Sequence, residues 1–318
     1  MISYARLRDW ALLLFCNLIW ASQPSLFKLV QKQTGPVCAM FFPITVATFL
    51  LIPLVRRELR VKRLSGQAVP VPPRDIFQFI LLGVFGAVVA QLFGSWGVRL
   101  SLASNASLIF LAAPIITALM AHFLLGERMT TVRWISFALA IAGIVECSGI
   151  NWKELNLAAP RFFLGNFMFF LAVSGSAFYN VYGKRLLRRY SPLRVLLYSY
   201  YAVVAFMLPI ALYVEPEGFR NLAHYNVRVW GGLLALAVFG YFLSMVIVLN
   251  VLTRLDATQA SLSNYLIPFF GLLIAGIFLH ERLTTFMIAG GILVFASTLL
   301  ITVYEERRRA RQASTVHP

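Results

Sequence analysis

The sequence predicts an all-α polytopic membrane protein, with ten transmembrane helices arranged as two inverted five-helix repeats. Three observations predict this fold class: the composition, the length of the apolar segments and an internal repeat. Of the 318 residues, 60% are hydrophobic and 13% are charged. Soluble domains are about 45–50% apolar and about 25% charged, so a soluble protein of this composition could not bury its apolar surface.

Ten apolar segments, nearly free of charge, are long enough to cross a hydrocarbon core of about 30 Å as helices. They lie near residues 9–30, 36–55, 76–98, 103–125, 131–149, 161–183, 193–213, 229–251, 257–279 and 284–304. Polar and apolar residues do not alternate within these segments, as they would in a transmembrane β-barrel. The chain is therefore predicted to cross the membrane as helices.

The second half of the chain repeats the first. Residues 103–131 align without a gap onto residues 257–285, at an offset of 154, and twelve of the 29 aligned positions are identical. Five helices per copy is an odd number, so the second copy enters the membrane in the opposite sense from the first. We predict a first repeat over residues 1–150, an inverted second repeat over residues 151–304, and a disordered basic tail over residues 305–318.

The net charge is +16, and the basic residues are distributed unevenly between the two sides of the predicted topology. With both termini in the cytoplasm, 20 basic residues fall on the cytoplasmic side and 8 on the other side. This asymmetry is typical of the positive-inside rule and predicts a multi-pass protein of the cell (inner) membrane with cytoplasmic termini. The lipid bilayer, not a nucleic acid, is therefore the expected partner of the basic surface.

Each repeat contains the turn sequence Glu-Arg-x-Thr-Thr, beginning at Glu127 and at Glu281. A carboxylate beside a guanidinium, followed by two threonines, suits a corner between two helices, in which Thr130 or Thr284 caps the next helix. We therefore interpret both turns as structural and assign neither to a substrate.

The pattern Ala-x-x-Ala-Ser-Leu, then a proline, then Glu-Arg-x-Thr-Thr occurs in both repeats and resembles the drug/metabolite transporter (DMT) superfamily, in its ten-span branch with two EamA-type domains. Further matching segments are 20–28, 176–179 and 188–192. The resemblance covers about residues 9–304. It implies a secondary carrier or exporter of small metabolites, amino acids among them, with a substrate cavity between the two halves near the bilayer midplane. Ser176 and His280 depart from the pattern, in place of the usual tryptophan and of the glycine found in the first repeat.

Polar and aromatic residues within the spans predict which helices line that cavity, since a polar group in the membrane must pair or face water. The polar candidates are Asn17, Gln23, Gln91, Asn105, Ser107, Ser176, Asn180, Ser244, Ser263 and Asn264. The aromatic candidates for its wall and gates are Trp20, Trp96, Phe110, Tyr179, Tyr241 and Tyr265. All fall on spans 1, 3, 4, 6, 8 and 9. Spans 2, 5, 7 and 10, which have fewer polar residues, are predicted to form an outer scaffold. For each residue alone, hydrogen bonding between helices is the alternative interpretation.

Pro114 and Pro268 occupy equivalent positions in the two repeats. Proline removes a backbone donor and bends a helix, so we predict a pair of kinks that shape the cavity.

Four charged residues near or within the spans are candidates for a charge role: Lys28, Arg99, Glu146 and Lys184. Lys28 and Lys184 are equivalent at an offset of 156, which relates the openings of the two repeats. Snorkelling to the interface explains the cations equally well. Glu146 lies well inside an apolar run, where proton coupling and pairing with a nearby cation both stay open. The interior of the first span has no carboxylate, so no coupling ion is indicated.

The sequence contains no P-loop, no His-Glu-x-x-His and no clustered metal ligands, so we expect neither an enzyme nor a bound metal or cofactor. The leading hypothesis is a secondary-active carrier that exports a small metabolite, an amino acid or related compound, by alternating access. A nucleotide-sugar or sugar-phosphate antiporter is the alternative transport hypothesis. An intramembrane enzyme or signalling scaffold is the alternative of another class, and a homodimer stays open.

Overall fold

The computed structural model describes residues 4–67, 69–100, 109–110, 112–147, 160–267 and 270, together with isolated positions between 289 and 304. Within these residues all regular structure is helical. Six helices are long and apolar enough to cross a membrane: Leu7–Phe27, Pro36–Leu64, Pro73–Gly97, Phe163–Leu187, Pro192–Val214 and Val227–Leu252. The all-helical, multi-pass class is confirmed, and so are six of the ten predicted spans. The other four stay predictions.

The first half of the chain contains two long helices followed by an interrupted one. Helix α1 spans Tyr4–Val30 and α2 spans Pro36–Leu64. Helix α3 (Pro73–Leu81) continues through a π-helical segment (Leu82–Val88) into α4 (Val89–Leu100). Helices α5 (Ala113–Leu125) and α6 (Thr131–Cys147) follow.

The second half shows the same succession. Helix α7 spans Pro160–Leu187 and α8 spans Pro192–Val214. After the short α9 (Pro216–Arg220) and a 3₁₀ turn (Leu222–His224), α10 (Val227–Ala235) continues through a second π-helical segment (Leu236–Leu243) into α11 (Ser244–Leu252). Helix α12 (Ala257–Leu262) then runs into a 3₁₀ turn (Ser263–Tyr265).

The sequence explains where several of these helices begin and end. Helix α8 begins with a proline in its first turn, and the Ser191 hydroxyl caps it by accepting from the Arg194 amide. The Asn226 side chain caps α10 in the same way. Helix α5 ends at Gly126, whose φ of +72° lies in the left-handed region that glycine adopts without strain.

The structure gives further detail on two predicted spans. Helix α2 was expected to end near residue 55 but continues to Leu64, because its basic last turns form good helix beyond the apolar stretch. Near Pro114 the helical path is interrupted: residues 109–110 are helical, Ala112 lies in a turn, and Pro114 lies in the first turn of α5. That this interruption is a kink shaping the cavity stays a prediction. Proline fits there because no intrahelical bond is lost. Its equivalent, Pro268, lies outside the described residues.

Hydrogen bonds between distant residues define the two ends of the helix bundle. At one end, here called the basic end, Arg254 after α11 donates to Asp9 in α1 at 2.8 Å. Arg189 after α7 donates to Asp75 in α3 at 2.9 Å at the same end. At the opposite end, Glu215 after α8 accepts from the first turn of α2.

Helices that are equivalent in sequence run in opposite directions between these ends. Helix α1 leaves the basic end and α7 arrives there; α2 arrives and α8 leaves. Helices α3–α4 leave the basic end, whereas α10–α11 arrive at it. An inverted repeat requires this arrangement in every such pair.

The two π-helical segments also lie at equivalent positions, and each presents a glycine to a helix of the other half. A Cβ at Gly86 would lie 3.0 Å from the Cβ of Tyr179. A Cβ at Gly240 would lie 2.6 Å from Nε2 of Gln23. The absence of a side chain therefore permits the same close helix contact twice, once in each half.

Candidate functional site

A group of polar side chains, here called the central polar group (Asn17, Trp20, Gln91, Tyr241 and Ser244), joins helices of both halves. The Trp20 indole Nε1 donates to the Ser244 Oγ at 3.1 Å, and the Ser244 hydroxyl donates to the carbonyl of Gly240. These contacts link α1 to the second π-helical segment and α11. Since both donors are satisfied by protein groups, they hold the two halves together in this conformation.

The Asn17 amide reaches the 3₁₀ turn that follows α12. Its Nδ2 donates to the backbone carbonyl of Ser263 at 2.7 Å. Its Oδ1 is buried and has no hydrogen-bond partner among the described residues. An unsatisfied buried acceptor costs about 1–3 kcal/mol, so a donor from a ligand or a water at this position would be favourable.

Tyr241 and Gln91 complete the group from the other side. The Tyr241 hydroxyl donates to Oε1 of Gln91 at 3.1 Å, joining the second π-helical segment to α4. The hydroxyl of Tyr200, in α8, donates to the backbone carbonyl of Tyr241 at 2.8 Å. The central polar group thus consists of neutral hydroxyl, amide and indole groups, whose hydrogen bonds to one another would have to be exchanged for bonds to a ligand. Such groups suit a small polar ligand.

The other predicted cavity residues lie in different surroundings. Tyr179 is buried and shares a 2.9 Å hydrogen bond with Ser199, so its hydroxyl is used in packing against α8. Ser176 is exposed, and Phe110 packs edge-to-face on Phe169 with 5.9 Å between ring centroids. The remaining described candidates are Gln23, Trp96 and Asn180, which are half-buried, and Ser263, Asn264 and Tyr265 in the 3₁₀ turn. That these residues surround one cavity stays a prediction.

Several candidates fall outside what the structure describes. Asn105 and Ser107 lie outside the described residues. Lys28, Arg99 and Glu146 belong to helices α1, α4 and α6, but their side chains are outside the described part of the chain.

A carboxylate of the predicted turn lies at the centre of an ionic cluster at the basic end. Glu127 accepts from the backbone amides of Ala257 and Thr258, at 2.9 and 3.2 Å, and from the Thr258 hydroxyl at 2.7 Å. The Lys184 ammonium lies 3.2 Å from the same carboxylate. Glu127 therefore caps α12 from the other half of the chain, at the end of a helix where negative charge is favourable.

Two further charges complete this Glu127 cluster (Glu127, Arg133, Lys184, Asp256 and Thr258). The Lys184 ammonium lies 3.3 Å from Asp256, and Nη2 of Arg133 lies 3.1 Å from the same carboxylate. Nη1 of Arg133 lies 3.7 Å from Glu127. The side chains of Arg133 and Glu127 are only 2% and 8% exposed, so these charges depend on one another for compensation.

The turn itself behaves as predicted. The Thr130 hydroxyl accepts from the Arg133 amide at 3.3 Å and caps α6. The sequence drew attention to Lys184 and to Glu127 separately, but it did not predict that Lys184 contacts Glu127 and Asp256.

Two more ion pairs hold the basic end together. Arg254 binds Asp9 through two nitrogens, at 2.8 and 2.7 Å, and this hydrogen bonding raises the pKa of Arg254. Asp75 accepts from Arg189 and, in a short hydrogen bond, from the Tyr190 hydroxyl. Burial, followed by the contact with Asp75, raises the pKa of Tyr190 to about 12, so it stays a donor at neutral pH.

The opposite end is joined by neutral donors. Oε1 and Oε2 of Glu215 accept from the backbone amides of Val37 and Cys38, at 2.9 and 2.8 Å, and so cap α2. The Asn226 amide donates to Gln33 at 3.0 Å. Both contacts join the two halves through groups other than basic side chains.

Sequence reasoning did not identify Asp9, Asp75, Glu215 and Asp256 as contacts between the helices. Each lies near the end of an apolar segment in the sequence, where a carboxylate is ordinarily interpreted as a solvated surface charge. The one feature of the sequence that could have drawn attention to them is that acidic residues are scarce, with 12 in the whole chain. Among the described residues, no group of three or more His, Cys, Asp or Glu could hold a metal ion.

Long apolar helices joined through polar contacts between two halves define a multi-pass membrane protein. The chain belongs to the EamA-like transporter family, which it matches over residues 10–147 and 163–303, one segment in each half.

Named relatives are also transporters, and one solved structure shares the fold. A "Probable terminal-alkyne amino-acid exporter" of Streptantibioticus cattleyicolor is 29% identical over 314 residues, covering 96% of each chain. An "Uncharacterized transporter" of Archaeoglobus fulgidus is 22% identical, over 93% of this chain and 99% of its own length. A crystal structure with 17% identity superposes with a TM-score of 0.75 over 94% of this chain and 98% of its own. At that identity the superposition supports the fold alone.

Proposed function

We propose that this transporter exports amino acids or closely related small polar metabolites by secondary-active alternating access. The observation that carries the substrate class is the relative named as an amino-acid exporter, which aligns over 96% of both chains. The neutral donors and acceptors of the central polar group are compatible with a zwitterion, which needs hydrogen bonds more than net charge. The inner membrane, with both termini in the cytoplasm, remains the location that we propose from the charge asymmetry.

Alternating access rests on two inverted five-helix repeats, and two observations support this arrangement. The equivalent helix pairs run in opposite directions, and both π-helical segments occur at equivalent positions. Two copies of one structural unit, inverted in the membrane, can exchange conformations at similar free energy.

The Glu127 cluster is proposed as the closure of the basic end in this conformation. It ties the end of α5 to α7 and to the start of α12. Opening this end requires Glu127 to leave the α12 amides and Lys184 together, which makes the closure cooperative.

No observation favours the nucleotide-sugar or sugar-phosphate alternative. Such a substrate requires unpaired cations at the site, and Lys184 lies within 3.3 Å of both Glu127 and Asp256. The family and the named relatives are transporters, which disfavours an enzyme or a scaffold.

Counterflow in proteoliposomes tests the proposal. Vesicles loaded with unlabelled amino acids should accumulate at least one radiolabelled amino acid saturably and without ATP. Gln91→Leu, which removes the acceptor for Tyr241, should slow this exchange. Thr45→Val is the matched control, since the Thr45 hydroxyl bonds to a carbonyl in its own helix. Exchange that is absent for the whole panel would contradict the substrate class.

A further inference from the structure

A groove between α3 and α8 lies on the outer surface of the bundle, away from the central polar group. Its volume is about 450 Å³. Its walls are formed by Ile76, Phe79 and Ile80 of α3 and by Tyr198, Tyr201 and Ala202 of α8. The side chains of Ile76, Ile80 and Tyr201 are 50%, 45% and 44% exposed, so the groove opens toward the surrounding lipid.

The groove lies near the basic end. Helices α3 and α8 both begin there, at Pro73 and Pro192, and the lining residues fall within their first three turns. At a rise of about 1.5 Å per residue, this places the groove beside one membrane–water interface, at the depth of the upper acyl chains.

A buried cation without an anion lies beside this groove. Arg194 is 3% exposed, and its guanidinium carbon lies 4.9 Å from the ring centroid of Tyr190 and 5.8 Å from that of Tyr198. Its Nη2 donates to the carbonyl of Val69 at 2.9 Å. Its Nε has no hydrogen-bond partner among the described residues, and none of their carboxylates lies within ion-pair distance.

The neighbouring carboxylate does not compensate Arg194. Asp75 is engaged by Arg189 at 2.9 Å and by the Tyr190 hydroxyl. Arg189 is itself 57% exposed, and the exposed Arg74 precedes Asp75. The mouth of the groove therefore carries a surplus of positive charge. Aromatic rings offset only part of the cost of a buried cation.

We propose that this groove binds an anionic glycerophospholipid. One acyl chain occupies the apolar groove, and the phosphate lies at its mouth against Arg189 and Arg74, where it compensates the charge of Arg194 beneath. Guanidinium groups suit this role because they match phosphate geometry and remain charged. A basic pocket beside lipid-facing helices attracts anionic headgroups by about 1 kcal/mol for each basic residue near the surface.

Native mass spectrometry of the purified full chain tests the proposal, with phosphatidylglycerol and phosphatidylcholine of the same acyl chains added in equal amounts. The wild-type protein should retain phosphatidylglycerol in preference to phosphatidylcholine. Arg194→Gln should lower this preference about fivefold, the factor expected for one cation near a membrane surface. Arg57→Gln, which removes an exposed cation of α2, is the control for net charge.

A second variant tests the apolar part of the site. Ile80→Trp fills the groove and should lower retention of both lipids, whereas Leu54→Trp, on the lipid-facing side of α2, should not. Equal retention of the two lipids by the wild-type protein overturns the proposal. So does an equal loss in Arg57→Gln and Arg194→Gln, or in Leu54→Trp and Ile80→Trp. Added inorganic phosphate that displaces phosphatidylglycerol would show a free-anion site instead. None of these readouts depends on transport.

Discussion

The two ends of the helix bundle are joined by different chemistry. At the basic end, the closing contacts are ion pairs among buried or half-buried side chains, with Glu127, Lys184 and Asp256 in one cluster. At the opposite end, Glu215 accepts from two backbone amides of α2, with no basic partner among the described residues. A cluster of interdependent charges is lost as a unit, whereas a capped helix end can open with the loss of two hydrogen bonds. The basic end is therefore expected to be the more firmly closed end in this conformation.

The common element is a carboxylate that caps a helix of the other half. Glu127 caps α12 and Glu215 caps α2, so each end is closed by the same local geometry. Lys184 and Arg133 distinguish the basic end by adding charge compensation. Selective removal of each carboxylate should therefore separate the two ends experimentally.

The largest effect is expected for Glu127→Gln. The amide cannot neutralise Lys184 and Arg133, and breaking a buried ion pair costs about 3–5 kcal/mol. The closed basic end should weaken, so maleimide labelling of the buried Cys16 should become faster, as read by mass spectrometry of the labelled peptide.

The matched control is Glu58→Gln, which breaks an i,i+4 pair with the partly exposed Lys62 at the same end. Such a pair is worth about 0.3–0.5 kcal/mol, so Cys16 labelling should not change. Equal labelling rates in the Glu127 and Glu58 variants would contradict a closing role for the cluster.

A smaller effect is expected for Asp9→Asn. The Asp9 side chain is 2% exposed and binds Arg254, which is 39% exposed and stays partly hydrated when released. Charged hydrogen bonds contribute about 1.5–3 kcal/mol each at most, and we expect a loss near the lower value.

The thermal unfolding midpoint in detergent measures this loss, and Glu217→Gln serves as the control. Glu217 and Arg220 form an ion pair at the opposite end whose members are 66% and 72% exposed, so its loss should leave the midpoint unchanged. A midpoint that falls equally in both variants would argue against a special role for Asp9.

The smallest effect is expected for Glu215→Gln. The amide oxygen of the substituted side chain can still accept from one of the two amides of α2, so the loss should be about 1 kcal/mol. Labelling of Cys38, whose amide Glu215 binds, should become faster while labelling of Cys16 stays unchanged. A change at Cys16 instead would show that the two ends do not open separately.

Much of the fold could be predicted because its signals are local. The apolar runs predicted six confirmed spans, and the Thr-Thr turn predicted the cap at Thr130. A kink was predicted at Pro114, where the structure has a break before α5, but the sequence could not tell a kinked helix interior from a helix start because proline suits both. The π-helical segments were also unpredicted: both contain the sequence Val-Phe-Gly, at residues 84–86 and 238–240, which does not specify this conformation.

The sequence selected polar residues within the spans but not their partners. Trp20, Gln91, Tyr241 and Ser244 were selected as polar groups within spans, and the structure pairs Trp20 with Ser244 and Tyr241 with Gln91. That they line a cavity stays a prediction. Tyr179, selected by the same criterion, bonds to Ser199 in the packing between helices. Sequence spacing identifies a polar residue but does not determine which neighbour satisfies it.

The sequence by itself determined the membrane class, the repeat and the family, because hydropathy and repetition are properties of the chain. Only the tertiary structure decided which charges meet. Asp9 and Arg254 are 245 positions apart, and Glu127 and Thr258 are 131 apart. Helix packing alone brings such residues within hydrogen-bonding distance, and the low exposure of Asp9 and Glu127 there makes these carboxylates structural contacts instead of solvated surface charges.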